Sequence, residues 1–381
     1  MKVAIFSRFP RNIDAPRGGV ETVTVGLTRA LSEMSDLEIH VVTLDKDARK
    51  IETESAGRAT IHRLPGSKTP QMLDIIAGPG RARIRKYLTA LKPDVAHFHE
   101  TYGHGIAPLP MPIVFTIHGF DHANIPAEGR KGAWLRVPLW KMIESWGLRR
   151  QKYIISITQY VRDHIQNRTN ATIFDIENPL QPSFFEIPRN TVPGRVFFAG
   201  WITPRKNPLT LVHAFKKLRD KGIAATLHLA GEAKDPPYAA VVKSAIAESG
   251  YASDIDLMGR ISPADIRREL SEASVSVLPS LQENAPMAIS EALAAGVPMI
   301  AANRCGMPYM VKEGVTGFLV EPHDADAIAD RLATILSSPQ THEKMSQAAK
   351  KDAYDRFHPD SVAKKTRDAY AKIVAEWKRN A

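Results

Sequence analysis

Short runs of β-branched and aromatic residues alternate with amphipathic helical patterns along nearly the whole chain. That alternation admits few folds other than a parallel α/β architecture, because parallel strands need helical crossovers between them. In the first half the strand-like runs are Val3–Phe6, Ile39–Leu44, Val95–Phe98, Ile113–Ile117 and Tyr153–Ile157. Apolar residues at helical spacing fall between them, as in Val20, Val23, Leu27, Ala30, Leu31, Met34 and in Ile84, Tyr87, Leu88, Leu91. The second half repeats the alternation with Arg195–Ala199, Thr226–Ala230, Ile255–Met258, Val275–Leu278 and Met299–Ala302. Two turn-rich stretches, Asn178–Pro182 and Ile187–Gly194, separate the halves and place the linker. The reading is α/β, with two Rossmann-like domains facing a central cleft: residues 1–185 and residues 190–358. Ligands are expected at the carboxyl ends of the strands. Gly78-Pro79-Gly80 reads as a turn.

A chain of 381 residues is long enough for two such domains, each with its own core. Its apolar share of 44% and charged share of 24% are those of a globular protein, and no run approaches 18 consecutive apolar residues. The N-terminus enters a strand-like run at once, without the pattern of a signal peptide. Cys305 stands alone, so neither an internal disulfide nor a cysteine zinc site is expected. The expected compartment is cytoplasmic. The formal charge of +10 calls for an acidic partner, either the phosphates of a small ligand or an anionic lipid surface. No nucleic-acid motif accompanies it, and nucleic acid ranks last.

The candidate chemistry follows strands. Glu283 and Glu291 flank a predicted helix start, with the strand Val275–Leu278 leading in. Asn284 can cap that helix and Pro286 suits its first turn. The amides there, at the positive dipole end, favour a phosphate. At 1.5 Å per residue the two carboxylates stand about 12 Å apart, a span that suits a sugar and a ribose with a diphosphate between. Two ordinary surface glutamates are the plainer alternative. Gly18-Gly19 opens the first long helix and lets backbone approach a ligand closely, although it lacks the G-x-G-x-x-G spacing of dinucleotide folds. His118 ends the strand Ile113–Ile117, where an imidazole can donate to a sugar hydroxyl or phosphate, or simply serve the structure. His97, His99 and Glu100 follow another strand without a metal-site spacing. Lys206 and Arg205 lie in the loop after Arg195–Ala199, placed to neutralise a diphosphate leaving group. Arg304-Cys305-Gly306-Met307-Pro308 offers a glycine loop to close over phosphates. D-x-D pairs occur at Asp45/Asp47, Asp254/Asp256 and Asp324/Asp326, and three copies show how little the pattern means alone.

Taken in order, these elements resemble the glycosyltransferase 4 family, whose members have the GT-B fold. The resemblance covers nearly the full length. It is carried by Gly18-Gly19-Val20-Glu21, Thr116–Gly119, Ile157–Arg162, Asn178-Pro179, Gly200 with Lys206, Leu229–Gly231, Gly259-Arg260, Leu278–Ser280 and Glu283 to Glu291. It implies a retaining, metal-independent transfer of sugar from a nucleotide-diphosphate sugar to an acceptor hydroxyl, with no cofactor. Carried over, Glu291 would hold the ribose and Glu283 the donor sugar. The backbone of Asn284, Ala285, Pro286, Met287 and Ala288 would meet sugar and phosphate. Gly18, Gly19 and Lys206 would take the diphosphate, with Arg205 sharing that role, and His118 would approach the sugar. The catalytic set is thus Glu283, His118 and Lys206, and no metal ligand is expected. The last helix, 360–381, would cross back to complete the first domain.

Two positions depart from the family pattern. Trp201 stands where arginine is usual, and Tyr309 stands where the glycine loop commonly ends in an acidic residue. A further stretch, Gly129–Arg150, interleaves Trp134, Trp140 and Trp146 with Arg130, Lys131, Arg136, Lys141, Arg149 and Arg150. It reads either as a surface for anionic membrane at the inner face, or as a core helix with basic ends. Pro138 is expected to break its periodicity. The acceptor is expected to be a sugar or a lipid-linked carrier, in polysaccharide, glycolipid or glycoconjugate synthesis. A GT-B epimerase, a phosphorylase and a non-catalytic membrane-associated assembly partner stay open as alternatives.

Overall fold

β1 (Lys2–Phe6) lies at the middle of the first of two sheets, and Val3, Ala4, Ile5 and Phe6 are wholly buried. Such an unbroken apolar run is what a strand covered on both faces requires. The computed structural model describes residues 1–14, 16, 18–67, 74–75, 78–99, 108–128 and 132–379. Two units divide the chain. Unit 1 takes Met1–His122, Leu135–Pro179 and Pro359–Ala381, and unit 2 takes Ala123–Trp134 and Leu180–His358.

In chain order, β1 is followed by α1 (Gly19–Ser32), β2 (Glu38–Asp45), β3 (Glu52–Ala56), β4 (Ala59–Pro65), α2 (Pro79–Leu91), β5 (Val95–His99) and β6 (Ile113–Ile117). Then come α3 (Asp121–Ala127), α4 (Ala133–Leu148), β7 (Tyr153–Ser156), α5 (Gln159–Ile165) and β8 (Thr172–Asp175). The sheet of unit 1 runs β3-β4-β2-β1-β5-β6-β7-β8, parallel throughout except for the β3–β4 hairpin at one edge.

Unit 2 continues with β9 (Arg195–Ala199), α6 (Pro208–Asp220), β10 (Thr226–Ala230), α7 (Pro236–Glu248), β11 (Ile255–Gly259), α8 (Pro263–Glu272), β12 (Val275–Leu278) and α9 (Met287–Ala294). β13 (Met299–Ala302), β14 (Gly317–Val320), α10 (Ala325–Leu336) and α11 (Pro339–Phe357) complete it. Its all-parallel sheet runs β11-β10-β9-β12-β13-β14. In order of appearance that is 3-2-1-4-5-6, the doubly wound arrangement, whose direction reverses between β9 and β12. The final helix, α12 (Pro359–Arg379), buries Val362, Ala363, Tyr370 and Ile373 against Val3, Ile5, Leu31 and Val95 of unit 1. Each large side chain so buried contributes about 1.5–3 kcal/mol.

Several local expectations change. Gly78-Pro79-Gly80 is not a turn but the start of α2. Pro79 has the fixed φ of a first helical residue, and Gly80 N–H donates to Asp74 Oδ1 at 2.8 Å. Asn284 does not cap α9. The cap is Pro286, extended at ψ 125°, because a proline drives the residue before it out of helical conformation and delays the helix. Pro138 sits inside α4 without ending it, in the exposed N-terminal half of the helix. β3, β4, β8 and β14 had no clear signal. β3 is a polar edge strand, and β8 and β14 have four residues each.

Candidate functional site

The reversal point of unit 2 brings the loops after β9 and β12 side by side. The β9 loop is pinned at both ends. Lys206 and Asn207 N–H groups both donate to Thr203 O at 3.1 Å. Asn207, at φ 55°, turns its amide inward to donate to Pro279 O (3.2 Å) and Pro322 O (2.7 Å). Leu281 N–H donates to Arg205 O at 2.7 Å, tying the two loops together. Out of this frame come three charged side chains, each exposed by little more than a tenth. Lys206 Nζ lies 2.7 Å and Arg205 Nη1 2.6 Å from the same Glu283 Oε1. Arg205 also donates to Gln282 O at 2.9 Å, and Glu128 of the same unit stands 3.7 Å away from its Nε.

The loop after β13 completes the wall. Gly306 N–H donates to Glu283 O at 2.8 Å, and a Cβ on Gly306 would fall 1.7 Å from Asn284 O, so only glycine fits. Cys305 Sγ lies 2.8 Å from Gln282 Oε1. α9 begins here, so Met287 and Ala288 carry its first free amides and the positive dipole end, with Asn284 and Ala285 leading into it. Glu291 is one turn into the helix. Burial pushes its carboxyl up to about 7, against the pull of the Lys206 ammonium. Burial lowers Lys206 in turn, and Glu283 opposes that. Thr203 Oγ1, Ser280 Oγ and Gln282 Nε2, all on these loops, are buried with no hydrogen-bond partner among the described residues. The arrangement is chemically suited to a phosphorylated polar ligand: two cations, a helix start, two carboxylates and unsatisfied polar atoms.

Unit 1 holds the other predicted residues at strand ends of its own sheet. Gly18 precedes α1 with φ +154°, a conformation L side chains rarely adopt, and its carbonyl accepts from Thr22 N–H at 3.0 Å. Gly19 is the first helical residue, and both glycines are exposed. His118 follows β6, half-buried, with Nε2 2.8 Å from Nδ1 of His99. Burial lowers His118 to about 4.

Sequence reasoning missed the contacts that hold these residues. Asn207 had a signal, since Asn-Pro ahead of an apolar run reads as a helix start. The pairing of Glu128 with Arg205 and of His99 with His118 had none. Glu100 lies outside the described residues. One or both aspartates of each D-x-D pair are engaged elsewhere: Asp45 with Arg11 (2.8 Å), Asp254 with Arg219 (3.2 Å) and Asp326 with Lys217 (2.7 Å), while Asp324 caps α10. Among the described residues no cluster of three His, Cys, Asp or Glu is placed to hold a metal ion. Trp201 is 41% exposed, with the Lys234 ammonium 4.3 Å from its ring. Tyr309 is half-exposed and its carbonyl accepts from Arg356 at 2.9 Å.

The tryptophan-rich stretch is split by burial. Trp140 is buried, whereas Trp134, Met142 and Trp146 are exposed. Arg150 lies over the Trp146 ring at 4.4 Å. Burial and the neighbouring Arg85 and Arg150 push Arg81 of α2 below the ordinary arginine range, which marks a shared basic surface. Arg130 and Lys131 lie outside the described residues. No described helix is long and apolar enough to cross a membrane.

Comparison with known proteins agrees with this geometry. Residues 17–180 match the family described as Glycosyltransferase Family 4, and residues 181–352 match Glycosyl transferases group 1. The chain is 26% identical to glycogen synthase of Mycobacterium tuberculosis over 294 residues, 73% of this chain and 69% of that protein. Among solved structures it is similar to sucrose-phosphate synthase of Thermosynechococcus elongatus, with a TM-score of 0.81 at 17% identity over 98% of this chain and 99% of that one. Anabaena HepE in complex with UDP and glucose gives a TM-score of 0.71 at 17% identity, over 98% and 100% of the two chains. Two α/β units of the GT-B fold, matched in succession over residues 17–352 by these two glycosyltransferase patterns, make this chain a member of glycosyltransferase family 4 and a sugar-transferring enzyme.

Proposed function

We propose that this glycosyltransferase takes its sugar from a nucleoside diphosphate-sugar held by unit 2, and transfers it with retention of configuration and without a metal ion. The observation that carries the reading is the Arg205–Lys206–Glu283 cluster at the start of α9. In the reaction the bond from the anomeric carbon to the phosphate oxygen breaks and its electron pair leaves with the nucleoside diphosphate. The acceptor oxygen bonds to the same carbon, and its proton passes to the departing phosphate oxygen. Negative charge grows on the departing phosphate, and Lys206 and Arg205 are the groups to offset it, together with the helix start. The backbone of Asn284, Ala285, Pro286, Met287 and Ala288 lines the phosphate and sugar, Glu283 takes sugar hydroxyls, and Glu291 takes the ribose diol. In unit 1, Gly18 and Gly19 are assigned to the diphosphate and His118 to the sugar. The engagement of Asp45, Asp254 and Asp326, one aspartate of each D-x-D pair, in ion pairs supports a reaction without metal.

HepE's complex makes UDP-glucose the first donor to try. The acceptor is assigned as a sugar or lipid-linked carrier, and the exposed Met142 and Trp146 of α4, with Arg150 over the Trp146 ring and Arg81 and Arg85 near Arg150, support an anionic membrane surface as partner.

A thermal-shift panel of nucleoside diphosphate-sugars tests the donor assignment, since a ligand that binds only the folded state stabilises it by about 2.7 kcal/mol at a hundred times its Kd. One donor class should raise Tm. Glu291→Ala should weaken its affinity about ten- to a hundred-fold, the consequence of leaving buried hydroxyls unpaired. EDTA should leave turnover intact. A panel without any shift, or turnover lost to EDTA and restored by manganese, contradicts the proposal.

A further inference from the structure

Unit 1 contains a row of three imidazoles, the wholly buried His97 and His99 and the half-buried His118, of which the sugar-transfer chemistry above uses only His118. β5 and β6 pair in parallel, with His97 opposite Val114 and His99 opposite Thr116. Residues two apart on a strand share a face, so His97 and His99 stand together, their rings 4.1 Å apart. His97 is engaged at both nitrogens: Nδ1 is 2.6 Å from the Tyr370 hydroxyl of α12, and Nε2 is 2.6 Å from Thr116 Oγ1. His99 Nδ1 lies 2.8 Å from His118 Nε2, with the two rings stacked at 19°. The other nitrogen of His99, Nε2, is buried and has no hydrogen-bond partner among the described residues. Burial keeps all three imidazoles neutral near pH 7, with His97 lowered to about 3, His118 to about 4 and His99 well below its ordinary value.

Between two neutral imidazoles a single proton serves the shared hydrogen bond. If His118 donated it, His99 would carry its own proton on Nε2, as a buried N–H with nothing to accept it. Orphaned buried donors are rarer than orphaned acceptors. The other arrangement leaves only a lone pair at His99 Nε2 and puts the proton on His99 Nδ1. His118 Nε2 then accepts, and His118 carries its proton on Nδ1. An unconstrained histidine in water prefers the opposite tautomer, so the neighbour decides the outcome.

We propose that His99 is a positioning residue: its Nδ1–H donates to His118 Nε2 and fixes both the ring orientation and the Nδ1-protonated tautomer of His118. His97, clamped between Thr116 and Tyr370, supports the stacked face of His99. The link from this tautomer to catalysis rests on the reading of His118 as a donor-sugar residue.

Long-range proton–nitrogen correlation on the full-length protein labelled with nitrogen-15 histidine reads the tautomer directly, with His118→Ala identifying the His118 signals. Wild-type His118 should show the Nδ1-protonated pattern. His99→Asn, whose amide takes the place of Nδ1 as donor, should keep it, and His99→Leu should lose it. A wild-type His118 protonated on Nε2 overturns the proposal, and so does a His99→Leu spectrum matching wild type. The wild-type spectrum decides even if a variant fails to fold. In turnover of UDP-glucose, GDP-mannose and UDP-N-acetylglucosamine, His99→Leu should lower kcat about tenfold, the usual scale for a supporting neighbour, with little change in KM and with recovery in His99→Asn. If His118→Ala leaves turnover of that panel unaltered, the donor-sugar role of His118 fails while the tautomer assignment stands.

Discussion

Burial draws Lys206 toward its neutral form, and Glu283, 2.7 Å away, draws it back toward the ammonium. A cation so placed matters most when negative charge appears on a leaving phosphate. Lys206→Ala should therefore lower kcat by about 10²–10³ and leave the donor KM nearly unchanged. Steady-state kinetics with the selected donor checks this, and a change confined to KM would transfer the role to Arg205. Glu291 makes a separate prediction. Its folded carboxyl titrates near 7, above the ordinary carboxylate value, because burial penalises the charge. The folded state thus holds a proton that the unfolded chain has released. The stability this contributes is fully present below the unfolded value and is lost as pH rises through about 7. Glu291→Gln, a permanent mimic of the neutral acid, should raise Tm at pH 8 by about 2–4 °C per kcal/mol recovered, with no gain at pH 4. Equal Tm at both pH values would show that burial does not strain this carboxylate.

At the scale of elements, α9 and α4 show how differently a helix can be used. α9 is short, apolar and sunk in unit 2, and its value lies in where it begins: after β12, beside the β9 loop. α4 keeps large apolar side chains outside, with Trp134 76% and Met142 63% exposed, and basic residues adjoin them. Basic residues near an anionic surface contribute about 1 kcal/mol each and fade with salt. The protein should sediment with phosphatidylserine-containing vesicles at low salt, and Lys141→Glu with Arg149→Glu should release it. Wild-type protein that ignores such vesicles at every salt concentration would return these tryptophans to a purely structural role. The same element shows a limit of sequence reading, because Pro138 argued for a break that the helix does not have. Solvent exposure made the lost backbone bond tolerable, and exposure is not written in a local pattern.

For the molecule as a whole, the two units should respond to acid in opposite ways. Unit 1 holds His97, His99 and His118 neutral by burial, each below the ordinary imidazole value. Between about pH 6.5 and 4 the unfolded chain binds protons that the folded unit refuses, so stability present above that window is lost as pH falls. Unit 2 gains over part of the same window, as Glu291 takes up its proton. Hydrogen exchange, corrected for the intrinsic rate, should accelerate in β5 and β6 on going from pH 6.5 to 4.5 by at least about tenfold per added proton. β9 and β12 should instead exchange more slowly over the same interval, as the protonated Glu291 carboxyl stabilises unit 2. An equal acceleration in both sheets would mean that the buried imidazoles do not govern acid stability.

The sequence by itself determined the parallel α/β class, ten of the strands to within a residue or so, and the strand ends at which Lys206, Glu283 and His118 stand. Those properties follow from burial on both faces and from helix-start chemistry, and both leave their mark within a few neighbouring residues. Only the tertiary structure decided who meets whom. Arg205 reaches Glu283 across 78 positions, and Tyr370 reaches His97 across 273. Gly306 is required because a carbonyl from another loop occupies the space of its missing Cβ. Such pairings are set by how sheets, loops and the last helix pack, and a contact between residues far apart in sequence leaves no local periodicity to read.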